Sequence, residues 1–265
     1  MNFVLFRHTF KRNWLLLVIF FAVLTMYTTV MLSMYDPADM AGLLAMMEAI
    51  PPGLRAAFGF DTLPTDLTGY LASWLYGMLM IGFPMVYSII LANGLVAKMV
   101  DNGSFAYLLS TPHTRVRIIV TQGAYALTSL LALFAVLFGV GVLTAEAMFP
   151  GNLDVLAYLR LNVTTMLANM VVLMIAFFFS CVFNETRLSL SFGAGIPITF
   201  LLMNMLGGTA PELAPLSSLS IFGFYDPLEL AAGASALGVN LVYVTLIAAL
   251  FAGGTFIFKY KRLPL

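Results

Sequence analysis

Side chains able to do chemistry are sparse in this sequence, and their spacing excludes most enzyme classes. The two histidines, His8 and His113, lie far apart, and Cys181 is the single cysteine, so neither an internal disulfide nor a multi-cysteine metal site can form. No HExxH, no GxSxG and no glycine-rich loop ending in Lys-Ser/Thr is present. Zinc peptidase chemistry, serine hydrolysis and P-loop ATP binding therefore lack their residues in this chain. Paired carboxylates in the middle of an apolar run, as a proton relay would need, are also missing. The polar groups that do interrupt apolar runs are Asn169, Asn204 and Asn240. Interhelical hydrogen bonding and a polar point on a substrate path are the two roles open to them. This chain is not expected to be an enzyme.

One polar stretch stands out, Lys98 to Arg117, KMVDNGSFAYLLSTPHTRVR. Asp101-Asn102-Gly103 reads as a turn, since Asn and Gly tolerate left-handed backbone. Ser104 is placed to cap a short helix over Phe105–Ser110, which Pro112 ends. Phe105, Leu108 and Leu109 fall on one face at i, i+3 and i+4, beside Tyr107. So short a helix is not stable alone in water. It is expected to be held between its own flanking segments and a partner protein.

Those flanking segments are set by composition. The chain is 62% hydrophobic and 9% charged, with mean hydropathy +1.00 and no net charge. A helix of about 20 apolar residues crosses the hydrocarbon core, and one central charge costs roughly 2.5–3.5 kcal/mol on insertion scales. Uncharged runs of sufficient length occur six times, predicting an all-α polytopic membrane protein of one domain over residues 1–265. The expected spans cover about 14–34, 70–97, 118–145, 161–183, 188–206 and 236–258. Of the twelve Lys and Arg residues, only Arg55 and Arg160 fall outside when the N terminus is placed inside. The positive-inside rule then puts both termini and the 98–117 stretch in the cytoplasm.

The connecting segments carry their own patterns. Met1–Asn13 sets Phe3, Phe6 and Phe10 against Arg7, His8, Lys11 and Arg12, predicting an amphipathic helix at the inner surface. In the long outer segment, Met40, Leu43, Leu44 and Met47 form an apolar stripe, and a second short helix is expected over Leu54–Phe60. Gly82 and Pro84 predict a kink in the second span. The outer stretch Gly207–Glu229 is apolar but repeatedly broken by Gly and Pro, which fits a re-entrant pair of half-helices before the last span.

The run from Ala92 to Gln122 resembles the signature loop of the type-2 ABC exporter permeases. An acid, a nearby Gly, a Leu-Leu pair, a Pro and a following Arg mark that loop, and they stand here as Asp101, Gly103, Leu108-Leu109, Pro112 and Arg115. The basic N-terminal helix, the six spans, the MEAIPPGLRAAFGF segment and the FKYKRLPL ending are similar too. Two departures leave the subgroup open: the acid is commonly Glu in the family, and Arg262 stands where many relatives have an acid before the closing Leu-Pro-Leu.

The resemblance implies a transport subunit without its own motor. The helix after Gly103 would be a coupling helix seated in a separate nucleotide-binding ATPase, with Phe105, Leu108 and Leu109 as its apolar plug. Lys98, Arg115 and Arg117 would orient the loop against headgroups or partner acids. ATP and Mg would sit on that partner; this chain would need no cofactor of its own. A second permease copy or a related permease would complete a homo- or heterodimer in the bacterial plasma membrane, and no nucleic-acid partner is expected. A lipid, hydrophobic peptide or amphipathic drug suits the Met- and Phe-rich spans as cargo. An ATP-independent channel or secondary transporter, and a membrane assembly protein, remain the alternatives.

Overall fold

The computed structural model describes residues 2–36, 50–57, 66–111 and 113–263, and among these every regular element is helical. Six helices are long and apolar enough to cross a membrane: Phe3–Ser33, Leu67–Asp101, Arg115–Met148, Val155–Val182, Thr186–Gly207 and Leu237–Tyr260. They are called spans one to six below, and they make this a multi-pass membrane protein by length and composition.

Span one corrects the expectation of a separate amphipathic helix at the surface. Phe3–Ser33 is one uninterrupted helix, with Asn2 as its cap: the Asn2 side chain accepts from the N–H groups of Val4 and Leu5. No Gly or Pro lies between Phe3 and Ser33 to break it. The polar start of the helix is held against span three rather than lying free. Thr9 is buried, donating to the Leu5 carbonyl and bonded to Gln122 at 3.3 Å. Of the outer segment, the Met40–Met47 stripe lies outside the described residues; the following helix is described over Pro52–Ala57.

Spans two and four form the centre of the bundle. In their most apolar windows 67% and 72% of residues are buried, against 17%, 11% and 17% for spans one, five and six. In a bilayer, apolar residues alone do not draw helices together, so small residues and hydrogen bonds decide which spans are inside. Here span four lines up Tyr158, Asn162, Thr165 and Asn169 on its inner side, all buried.

Span two is irregular just ahead of Gly82 and Pro84. Residues Ala72–Leu79 form a π-helix, and Pro84 sits within the regular helix Met80–Leu95. Proline has no N–H to give the carbonyl four residues earlier, which here is Met80. The Asn169 amide supplies the missing donor, 3.0 Å from the Met80 oxygen. The wide turn is tied down in the same way: Asn162 donates to the Tyr76 hydroxyl at 3.0 Å and Tyr225 donates to the Tyr76 carbonyl at 3.2 Å.

The broken stretch before span six consists of four short helices, Pro211–Leu213, Ala214–Leu219, Ile221–Phe224 and Pro227–Ala231. Ser220 donates to the carbonyl of Phe200, about two turns short of the end of span five, and Tyr243 donates to Ile221. The chain folds so tightly here that a Cβ on Gly223 would fall 1.8 Å from the Ser217 carbonyl oxygen, so only glycine fits.

Candidate functional site: the 98–117 loop on the ends of spans five and six

The loop leaves span two through the helical turn Ala97–Asp101 and reverses at Gly103, whose φ of 72° is left-handed backbone. Nothing crowds that position, so the requirement for glycine is conformational rather than steric. The turn is held by Asn102, whose Oδ1 accepts from the Ser104 N–H at 3.0 Å and from its hydroxyl at 2.6 Å. The expected side-chain cap by Ser104 does not form: its backbone is helical, at φ −66° and ψ −16°, rather than the extended conformation that aims a capping oxygen at the first N–H groups.

The helix itself spans Phe105–Leu109. Its predicted apolar face exists, but it points inward. Phe105 is 0% exposed, its ring 5.2 Å from that of Phe258 at the end of span six. Leu108 and Leu109 are half-buried against the same core. The outward residues are Ala106, Ser110 and above all Tyr107, which is 79% exposed. The expectation that Phe105 plugs a partner is thus corrected: an aromatic at the first helical position gains more from the apolar end of span six than from water.

Asp101 and Arg115 extend this anchoring. Asp101 is exposed, and its Oδ2 accepts from the Thr186 N–H at 3.2 Å, at the start of span five. That position suits an anion, since the first N–H groups of a helix lack internal partners. Arg115 donates to the backbone oxygen of Lys261 at 2.8 Å, which ties it to this chain's own tail. Lys261 in turn donates to the Phe183 carbonyl at 2.7 Å, and Asn184 donates to Arg262 at 3.4 Å. Burial pushes the Lys261 amine down from 10.5 to about 8. Lys98 and Arg117 stay exposed. Pro112 lies outside the described residues.

The remaining helix ends on this side of the bundle are linked as well. Arg12 donates to the Gly94 carbonyl at 3.3 Å, where a cation meets the last turn of Met80–Leu95. The Asn2 N–H donates to Thr121 at 2.9 Å, and its amide contacts His113. The loop is therefore seated on spans five and six, while both chain ends are fastened around it.

Sequence reasoning singled out the loop residues but missed their partners, Thr186, Phe258 and the Lys261 backbone. The Lys259–Arg262 run reads simply as a basic stop, and nothing in it signals that its carbonyls accept from Arg115 and Asn184. The three asparagines are not brought together. Asn169 is fully buried as a bridge between spans two and four. Asn204 lies in span five, and Asn240 lines a cavity at the start of span six. Among the described residues no cluster of His, Cys, Asp and Glu could hold a metal ion. Compared with family models, curated proteins and solved structures, the chain matches none.

Proposed function

We propose that this chain is the permease subunit of an ATP-binding-cassette exporter, moving a hydrophobic or amphipathic substrate with energy from ATP hydrolysed on a separate subunit. The observation that carries the reading is the seating of the loop: Asp101 and Arg115, which resemble the family signature, and Phe105 between them each contact the end of another span. A motor pressing on such a loop has a mechanical route into the bundle. Tyr107, with Ala106 and Ser110, is the face left to receive it.

Orientation follows the basic residues: both termini and the loop lie on the cytoplasmic side of a bacterial plasma membrane. The 211–224 segment, reaching Phe200 and returning, acts as a re-entrant element on the far side. The thinly buried faces of spans one and five offer a second permease copy its contact surface. Purification from native membranes in mild detergent should bring down an ATPase of roughly domain size, about 200 residues. Tyr107→Ala should reduce substrate-stimulated ATP hydrolysis several-fold at unchanged thermal stability. A Tyr107→Ala protein that co-purifies and hydrolyses ATP like the parent would exclude this loop as the transmission. Recovery of a lone, ATP-indifferent protein would favour a channel or secondary transporter.

A further inference from the structure

At the end of the bundle opposite the 98–117 loop, a cavity of about 480 Å³ opens between spans four and six, lined among others by Arg160, Ser235, Asn240, Leu159, Val163 and Leu237. Among the described residues, Arg160 has no hydrogen-bond or ion-pair partner. No acid among the described residues lines the cavity, and Asp154, at the start of the same span, is committed to capping its own helix. The guanidinium instead lies along the turn at Gly233, where a Cβ would come 3.7 Å from its Nη1. Asn240 is equally uncommitted: its buried Oδ1 has no donor. Span six begins beside them with Ala236 as its cap and no side-chain cap bond, so its first N–H groups are open.

Depth decides what this arrangement can hold. Arg160 lies in the second turn of a span beginning at Val155, roughly 8 Å along its axis. Asn240 lies in the first turn of span six. That is the level of lipid headgroups, where the side chain of an Arg near a helix end meets phosphate oxygens. Phosphate oxygens match its fork of donors, and the open N–H groups of span six add to the same positive field. The apolar lining suits the glycerol and upper acyl carbons, with Leu159 and Leu237 exposed on the rim at 40% and 73%.

We propose that this cavity seats the headgroup of an anionic phospholipid, with Arg160 as the residue binding its phosphodiester, the first N–H groups of span six as further donors, and the Asn240 Oδ1 as acceptor for a headgroup hydroxyl. The proposal stands whether or not the chain transports anything. Its test is native mass spectrometry of the full chain in detergent, titrated with phosphatidylglycerol or with phosphatidylcholine, beside a thermal-shift titration with inorganic phosphate alone. Phosphatidylglycerol should be retained at lower concentration than phosphatidylcholine. Arg160→Gln should weaken that retention about tenfold or more, the scale of one lost charge-assisted contact. Arg160→Lys should restore part of it, and Arg187→Gln, at the other end of the bundle, should leave it unchanged. Ser235→Asp, adding a like charge on an exposed turn, should also abolish retention, which keeps the test decisive if Arg160→Gln does not fold. Equal retention by Arg160→Gln and the parent, or equal retention of the two lipids, overturns the proposal. Protection by millimolar phosphate as strong as that by lipid overturns the lipid as the source of the anion.

Discussion

Phe105 shows how one residue changes role between pattern and packing. Its spacing with Leu108 and Leu109 marks an apolar face, yet spacing is silent about which way that face turns. In the folded chain it is buried on Phe258, an anchor rather than a plug. Truncating a fully buried Phe typically costs about 3–5 kcal/mol. Phe105→Ala should therefore lower the thermal midpoint of the detergent-solubilised protein by several degrees, whereas Tyr107→Ala should leave it in place. Equal midpoints for the two variants would show that the contact with Phe258 contributes nothing. Gly103 stands at the opposite pole: the turn signal in Asp101-Asn102-Gly103 was legible because positive φ is a local property, and the backbone adopts it at 72°.

Among the elements, span two illustrates a defect answered by a neighbour. Pro84 removes the donor for the Met80 carbonyl, and Asn169 replaces it from span four. The two positions should therefore be coupled. Asn169→Ala alone leaves a buried carbonyl unsatisfied at a cost of about 1–2 kcal/mol. In a Pro84→Ala background a backbone N–H returns to position 84, and the same Asn169→Ala change should cost distinctly less. Four thermal midpoints, for the parent, both single variants and the double, measure this; additive effects would refute the compensation. A breaker in the sequence was visible, and a polar residue in span four was visible. Their pairing was not, because it depends on the relative depth of two helices far apart in the chain.

For the whole molecule, orientation is the claim with the widest consequences. Cys181 is fully buried, so the parent chain offers little background to thiol reagents and single-cysteine reporters can be read against it. A cysteine replacing Glu229 should react with an impermeant maleimide on intact cells, and one replacing Tyr107 only after the membrane is opened. Reaction at Tyr107 from outside would invert the topology and remove the loop from any cytoplasmic motor. The low burial of spans one, five and six also means that much of the apolar surface of this bundle faces lipid or another subunit.

What the sequence determined by itself follows from local energetics. Six uncharged runs must be helices because a backbone in hydrocarbon has to satisfy its own hydrogen bonds, and the Gly and Pro residues of the 207–229 stretch had to break the chain before span six. Helix ends were less legible: spans one and four begin well before the expected positions, at Phe3 and Val155, because charged side chains near the interface do not stop a helix. Tertiary structure alone decided that spans two and four are central, that Phe105 turns inward while Tyr107 faces out, and that Asp101 and Arg115 hold the starts and ends of other spans. It also placed Arg160 beside Asn240. Each of these depends on helices meeting at a particular depth and rotation, set by hydrogen bonds and close packing between residues that lie dozens of positions apart, and no local pattern along the chain encodes that meeting.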